Sequence, residues 1–246
     1  MDTDPMTDAP SITPCPILWR DSTLVVVNKA AGLLSHPNPG PKPAASAFLG
    51  PYDERARRFD SPAGPVWLIH RLDQDTSGTL MAALDESTAH ALRKNFEAGG
   101  VKKHYFTMVA GRPRPKGIWK DALAMSRGGG RVRTTVVAGA LLNAELHFTT
   151  VAHSAALRLS LLETELVTGR THQIRVQAAS RGHPVIGDDV YGDFALNRWA
   201  KKELGLRRLF LHAAALEFLH PATQQRLQIV APLPADLAAV RAKTGL

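Results

Sequence analysis

The sequence contains little cysteine, few aromatic residues and no long apolar run. Cys15 is the only cysteine, which excludes an intramolecular disulfide and a cysteine-rich zinc site. No apolar run approaches the ~20 residues that a membrane-spanning helix requires. The acidic start, MDTDPMTDAP, has neither the cationic nor the apolar part of a signal peptide. We therefore expect a cytoplasmic protein without a membrane segment.

Acidic residues are outnumbered, with 22 Asp and Glu against 30 Lys and Arg and a formal net charge of +8. A basic excess of this kind favours polyanionic partners, nucleic acid first and acidic membrane surfaces second. Hydrophobic residues make up 44% of the 246 residues, which is enough for the core of one large domain or two small ones.

Short β-branched or alternating segments predict many strands, whereas only two segments predict helices. Residues 1–16 are polar and rich in proline and predict a disordered leader, and 35–65 predicts a long loop. One helix is expected in 85–100, and a second from a Thr171 cap to a stop at Gly182. Because strands and helices do not alternate regularly, we expect an α+β fold dominated by one mixed or antiparallel sheet.

Asp73 stands in LIHRLDQDTSGTL (68–80), between apolar ends. An Asp beside Thr-Ser-Gly is most often a turn carboxylate. Its apolar neighbours place it instead at the edge of a core, where its charge needs an arginine partner. Arg170 in TGRTHQIR, at the mouth of the second predicted helix, is the candidate partner. Composition alone favours the plainer interpretation, in which Arg175 lies on a solvated helix face and His172 is an ordinary polar residue.

Lys103 and Tyr105 share one face of a predicted strand. Tyr105 is equally well interpreted as a core aromatic residue or as a platform on which a base stacks. Metal binding is disfavoured, because His70, His172 and His183 lack the spacing and the accompanying acids or thiols of a metal site.

Four long motifs occur in order along the chain and together closely resemble the RluA-type RNA pseudouridine synthases. The resemblance runs from about Ile17 to about Leu237. It implies a single catalytic domain (17–246) on a bent, mainly antiparallel mixed sheet, with flanking helices and a central active-site cleft. The four motifs are HRLDQDTSG, KKHYFTMVAG, ELVTGRTHQIRVQAASRGHPVIGDDVYG and RLFLHAAALEFLHP.

The resemblance also implies roles for individual residues. Asp73 matches the nucleophile that acts on the target uridine, by attack at C1′ or by first deprotonating C2′ to give a glycal. Arg170 matches its ionic partner, Tyr105 the residue that stacks on uracil, and Arg71 a residue that enters the space of the flipped nucleotide. Catalysis is expected to need no cofactor and no metal. The expected substrate-binding residues are His70, Arg71, Lys103, His172, Gln173 and Arg175.

The RNA target is the least determined part of this interpretation. Many family members carry an S4-type RNA-binding domain before the catalytic domain, and only about 16 residues precede the first predicted strand here. The stretch GDDVYG onwards resembles members that modify large-subunit ribosomal RNA, so ribosomal RNA is favoured over transfer RNA. We expect a monomer. The alternatives are a non-catalytic RNA-binding or ribosome-assembly factor and an N-glycosidic hydrolase, which RNA product analysis would separate.

Overall fold

The computed structural model describes residues 11–37, 45–128 and 131–246. Strands dominate these ranges, and four α-helices and one π-helical turn (Ala200–Leu204) accompany them. The helices are α1 (Glu86–Glu97), α2 (Gln173–Ala179), α3 (Phe194–Trp199) and α4 (Ala235–Thr244). The strands are β1 (Ile17–Arg20), β2 (Leu24–Lys29), β3 (Tyr52–Asp53), β4 (Arg58–Ser61), β5 (Gly64–Leu68), β6 (Ser77–Ala83), β7 (Lys102–Ala110), β8 (Lys116–Asp121), β9 (Leu123–Gly128), β10 (Arg131–Val136), β11 (Ala144–Ser154), β12 (Leu159–Leu166), β13 (Leu211–Leu219) and β14 (Arg226–Val230).

Twelve strands form one sheet, in the order β3-β4-β5-β6-β13-β7-β12-β11-β8, with β2 on β6, β1 on β2 and β14 on β13. The pair β6–β13 is parallel and the other described pairs are antiparallel. The strands β9 and β10 form a separate two-stranded hairpin. The prediction of an α+β fold with a mainly antiparallel mixed sheet is confirmed.

The middle of the sheet is apolar on both faces. Along β2, Val25 and Val27 pack into one core cluster, whereas Leu24 and Val26 pack into a second cluster. This division follows the two-residue period of a strand. Burial on both faces explains why the central strands are almost continuously apolar in sequence.

Helix α1 agrees with the sequence prediction. Asp85 caps its first turn, accepting a hydrogen bond from the amide of Thr88 at 2.8 Å, and Ala89 and Leu92 are buried. Helix α2 begins later than predicted, at Gln173, and its cap is His172 in a left-handed conformation rather than Thr171. None of the helices in the described ranges is long and apolar enough to cross a membrane.

Two predicted irregular segments prove to be more ordered than expected. The predicted loop 35–65 contains β3, β4 and the start of β5, because Phe59 is fully buried in the core and anchors a hairpin. Residues 38–44 of that loop lie outside the described ranges. In the predicted leader, residues 1–10 also lie outside, but Ile12 and Cys15 are buried in the same core. The prediction of a disordered leader up to residue 16 is therefore wrong for residues 11–16.

Gly78 allows β6 and β13 to approach each other, just after the loop 69–76 that contains Asp73 (the Asp73 loop). Its φ is +118°, and a Cβ there would overlap the backbone of Ala213. Gly64 has a similar φ of +115°, but a Cβ on it would meet no described atom within 4 Å. Both glycines therefore have a positive φ that disfavours a side chain, but only Gly78 also lacks the space for one.

We predict that Gly78→Ala destabilises the fold more than Gly64→Ala. Both variants bear backbone strain of about 1–3 kcal/mol, and Gly78→Ala adds about 1–3 kcal/mol of overpacking. Urea unfolding of the two variants and the wild type measures both losses. Equal losses for the two substitutions would show that the close approach of β6 and β13 does not depend on this glycine.

Candidate active site

Asp73 lies in the loop between β5 and β6, where the chain enters the middle of the sheet. Lys29 at the end of β2 is fully buried and donates to three backbone carbonyls, among them that of Gln74 at 3.0 Å. Burial lowers the pKa of Lys29 to about 8. The Ser35 hydroxyl donates to the carbonyl of Leu72 and accepts from its amide, at 2.8 and 2.9 Å. These bonds fix the backbone on both sides of Asp73.

Arg175 contacts two carboxylates at once. Its Nη1 donates to Oδ2 of Asp73 at 3.1 Å. Its Nε and Nη2 donate to the two carboxylate oxygens of Asp188 at 2.7 and 2.8 Å. The side chain of Asp188 is fully buried, whereas that of Asp73 is 23% exposed. Within the described ranges Oδ1 of Asp73 accepts no hydrogen bond, so one carboxylate oxygen is fixed and the other is open.

Both buried members of this group are charged at neutral pH. Burial lowers the pKa of Arg175, but the hydrogen bonds and charges of Asp188 and Asp73 raise it above its ordinary value. Burial raises the pKa of Asp188, but Arg175 and two backbone amides together bring it below its ordinary value. Those amides belong to Val190 and Tyr191, which donate to Oδ1 at 2.8 and 3.0 Å.

The predicted pairing of Arg170 with Asp73 is wrong. Arg170 precedes α2, is exposed, and donates from Nε to the carbonyl of Asn143 at 2.9 Å. Because the helix starts at Gln173, its buried face presents Arg175 to the Asp73 loop instead. Arg175 is 6% exposed, so the solvated-face interpretation of this residue is also wrong.

His172 lies between Asp73 and Tyr191. Its Nε2 is 3.9 Å from Oδ2 of Asp73, and its Nδ1 is 2.9 Å from the Tyr191 hydroxyl. Burial lowers the pKa of His172, and the charge of Asp73 opposes this shift only in part. The ring is therefore neutral at neutral pH.

Tyr105 is 7% exposed and belongs to the apolar cluster that also contains Leu72 and Ile174. It pairs across the sheet with Ala213, which in turn pairs with Gly78 at the start of β6. Burial raises the pKa of Tyr105, and the nearby charge of Asp73 raises it further. Tyr105 is therefore a neutral phenol beside the carboxylate; its action on a base stays a prediction.

Two predicted substrate contacts are occupied within the protein. Gln173 is 2% exposed, and its side-chain amide bonds Thr168, the Arg170 amide and the Glu145 carbonyl. His70 accepts from the Met81 amide at 3.1 Å, and burial lowers its pKa to about 3. The side chain of Gln173 is therefore fully used within the protein, whereas His70 is half-buried and its contact with the substrate stays a prediction. Both residues hold neighbouring segments in place.

Arg71 and Lys103 occupy different positions around Asp73. Arg71 is exposed, and its Nη1 lies 3.1 Å from Nε2 of His36. Lys103 is buried, with its Nζ 6.0 Å from the centre of the Phe96 ring and close to Gly169. Burial lowers the pKa of Lys103. Arg71 is thus the more accessible of the two cations.

The sequence alone gave no role to three residues of the site, which are Asp188, Tyr191 and Lys29. Asp188 and Tyr191 stood in the recognised motif GDDVYG, and the spacing of this motif gave no indication of its distant partners. Lys29 ended a predicted strand. A lysine one residue beyond four consecutive apolar residues, at the end of a buried strand, is a usable signal for a buried cation, and the sequence interpretation missed it.

This geometry suits covalent chemistry at a carbon centre. A carboxylate with one fixed and one open oxygen can attack carbon and leave again, and a guanidinium can hold its charge in place. In the described ranges no three His, Cys, Asp or Glu side chains are grouped so that they could hold a metal ion.

The family model described as RNA pseudouridylate synthase matches residues 23–180. The chain belongs to this family. The synthase is therefore an isomerase that acts on RNA, as the sequence resemblance predicted.

Curated relatives support the same assignment. An RNA pseudouridine synthase of Bacillus subtilis, YhcT, is 36% identical over 224 residues, which is 90% of this chain and 69% of the relative. The Vibrio vulnificus protein named ribosomal large subunit pseudouridine synthase C is 34% identical, covering 91% of this chain and 67% of the relative. The Zymomonas mobilis protein named ribosomal large subunit pseudouridine synthase D is 32% identical, covering 95% and 74%.

Solved structures of RNA pseudouridylate synthase domain proteins are similar to this chain in fold. Human RNA Pseudouridylate Synthase Domain Containing 4 superposes with a TM-score of 0.69 at 25% identity, covering 93% of this chain and 92% of that chain. Human RNA Pseudouridylate Synthase Domain Containing 1 shares the fold, with a TM-score of 0.66 at 22% identity, covering 95% and 87%.

We predict that Arg175→Ala and Arg170→Ala have very different effects on stability. Arg175→Ala leaves Asp188 buried without its cation, at a cost of about 3–5 kcal/mol. Arg170→Ala removes one exposed hydrogen bond, at a cost of about 0.5–1.5 kcal/mol. Urea unfolding of both variants at neutral pH gives the comparison. A larger loss from Arg170→Ala would restore Arg170 as the main ionic partner.

Proposed function

We propose that Asp73 is the nucleophile with which this synthase isomerises specific uridines, and that its RNA is large-subunit ribosomal RNA. The open Oδ1 of Asp73, beside an Oδ2 held by Arg175, is the observation that supports the nucleophile. Asp188, the other carboxylate that Arg175 contacts, is fully buried and has both oxygens bonded, so it is unsuited to attack a substrate.

The direct route begins with attack of Asp73 Oδ1 on C1′ of the target uridine. The C1′–N1 bond breaks, and its electron pair leaves with the uracil as an anion. The uracil rotates and C5 attacks C1′, which breaks the bond to Asp73 and returns the carboxylate. C5 then loses its proton and N1 gains one, so the product is an isomer of the substrate.

A second route is compatible with the same carboxylate. Asp73 first removes the C2′ proton as the C1′–N1 bond breaks, which gives a glycal, a protonated Asp73 and the uracil anion in the pocket. Asp73 then returns the proton to C2′ while C5 of the uracil bonds to C1′. C5 loses its proton and N1 gains one, as in the direct route. In both routes Arg175 holds Oδ2 of Asp73 in place through the hydrogen bond that its Nη1 donates.

Base flipping is required in either route, because C1′ cannot be reached inside a stacked helix. Tyr105 is a neutral ring beside Asp73, and we assign it to packing against the flipped uracil. Arg71 is exposed in the same loop as Asp73 and is suited to the space that the nucleotide leaves. The formal net charge of +8 supplies general attraction to phosphates.

Ribosomal RNA is the proposed substrate because relatives named for the large ribosomal subunit match this chain over 91–95% of its length. Transfer RNA is the alternative. Shape and the availability of a flippable uridine would select the site in either RNA.

We predict that Asp73→Asn abolishes pseudouridine formation while RNA binding persists, because the amide keeps the shape of the side chain but loses its nucleophilic charge. The matched control is Asp75→Asn, two residues along the same loop, where the side chain is exposed. Each protein is incubated separately with unmodified ribosomal RNA and with a pool of unmodified transfer RNAs. Pseudouridine is then counted by mass spectrometry.

The wild type and Asp75→Asn are expected to convert uridine in the ribosomal RNA. Residual conversion by Asp73→Asn would eliminate Asp73 as nucleophile. Conversion confined to the transfer RNA pool would overturn the proposed substrate and leave the chemistry intact. Abasic RNA with free uracil would indicate a hydrolase, and unchanged RNA a binding protein.

A further inference from the structure

Tyr191 connects the active site to the separate β9–β10 hairpin. Its hydroxyl accepts a hydrogen bond from the backbone amide of Thr134 in β10, at 2.7 Å. The same hydroxyl lies 2.9 Å from Nδ1 of His172, and the two rings meet edge to face at 5.6 Å. A single oxygen therefore joins the hairpin to the residue next to Asp73.

The first of these bonds determines the direction of the second. An amide can only donate, so the bond from Thr134 uses a lone pair of the Tyr191 oxygen and leaves the phenol hydrogen available. If that hydrogen is donated to Nδ1 of His172, both the Thr134 amide and the phenol have an acceptor, and Nε2–H lies 3.9 Å from Oδ2 of Asp73. If Nδ1 carried the proton instead, the phenol hydrogen would have no acceptor among the described residues.

A hydrogen bond accepted at Nδ1 places the proton of the neutral ring on Nε2. Nε2 is the ring nitrogen nearest to Asp73, 3.9 Å from Oδ2. In this tautomer the ring turns the positive end of an N–H bond towards the carboxylate. In the opposite tautomer a lone pair would face the carboxylate, and the two would repel each other.

The surroundings of His172 agree with a neutral ring. Burial lowers its pKa; the charges of Asp73, Asp188 and Asp75 raise it, and that of Arg175 lowers it again, with a net decrease. A neutral N–H donor supports the charge of Asp73 without giving it a proton that would end its nucleophilicity.

We propose that Tyr191 is a positioning residue for the nucleophile: its hydroxyl, held by the β9–β10 hairpin, fixes His172 with the proton on Nε2, facing Asp73. The proposal rests on the proposed function only in taking Asp73 as the reacting group. The donor is most useful when the bond from Asp73 to the ribose breaks and the carboxylate regains its charge.

The hairpin adds a connection to RNA. As far as the structure describes it, the hairpin pairs with no strand of the main sheet, and a small apolar cluster of Leu123, Ala144 and Val176 with the Tyr191 ring attaches it. The guanidinium of Arg133 lies 5.9 Å from the centre of that ring. Arg133 is exposed, so a phosphate of the RNA can contact the described part of the hairpin at the residue that packs on the Tyr191 ring.

The test is Tyr191→Phe, which removes the hydroxyl and keeps the ring. In the full chain labelled with ¹⁵N-histidine, long-range ¹H–¹⁵N spectra report which nitrogen of His172 carries the proton. The wild type is expected to show Nε2–H, and the variant a shift towards Nδ1–H. His153 is an internal control, because its Nδ1 lies 3.0 Å from the carbonyl of Leu159 and should stay protonated in both proteins.

Activity provides the second readout. In Tyr191→Phe, kcat for pseudouridine formation is expected to fall about five- to tenfold, the effect of one hydrogen bond, while KM for RNA changes less than about twofold. Tyr52→Phe is the matched control, because the Tyr52 hydroxyl makes no hydrogen bond with the described residues, and kcat should not change.

An Nδ1–H tautomer at His172 in the wild type would overturn the proposal, as would an unchanged tautomer in Tyr191→Phe, whatever the loss of activity. A fall in kcat without a tautomer change would show that Tyr191 acts only through packing, which also overturns it. If the wild type makes no pseudouridine, the proposed function fails, and the spectra still decide whether Tyr191 sets the tautomer.

Discussion

The guanidinium of Arg175 is shared between a buried and a partly exposed carboxylate, and the rest of the site depends on this arrangement. Removing an ion from water costs several kcal/mol, which only close and complete hydrogen bonding can offset. Two hydrogen bonds from Arg175 to Asp188, and two more to Asp188 from the backbone amides of Val190 and Tyr191, supply that bonding. Asp188 thus fixes the plane of the guanidinium, and Arg175 in turn fixes one oxygen of Asp73.

Two residues beside this group, His172 and Gly187, have a left-handed backbone conformation. His172 has a φ of +56°, an uncommon conformation for a residue with a side chain, and it turns the ring towards Asp73 just before α2 begins. Gly187 has a φ of +78°, and a Cβ there would overlap the backbone of Arg208, so the segment leading to Asp188 requires glycine. Buried Lys29 holds the Asp73 loop through the backbone carbonyl of Gln74, independent of the side chains in that loop.

The sequence was sufficient for the features that depend on local pattern. Alternation and apolar runs identified central strands of the sheet such as β6, β7 and β12, although β3 and β4 were predicted as loop, and Asp85 marked the start of α1. Asp73 could be singled out because its apolar neighbours implied a charge at the edge of a core. The choice between Arg170 and Arg175 could not be made in this way, because it depends on where α2 begins, and a left-handed cap at His172 has no clear sequence signal. The partner Asp188 lies 13 residues further along, and only the folded chain brings it to Arg175.

The pH dependence of unfolding in the wild type and in Asp188→Asn tests the shared guanidinium most directly. The pKa of Asp188 is lowered in the fold, so its contribution to the free energy of unfolding is complete above its unfolded pKa of about 4 and disappears as the pH falls through the lower folded value. We predict that the wild type is the more stable protein from pH 7 to about 5, and that the difference shrinks below about pH 4. A difference that is constant with pH, or absent at pH 7, would mean that Asp188 is not an ionised anchor for Arg175, and would contradict this account of the site.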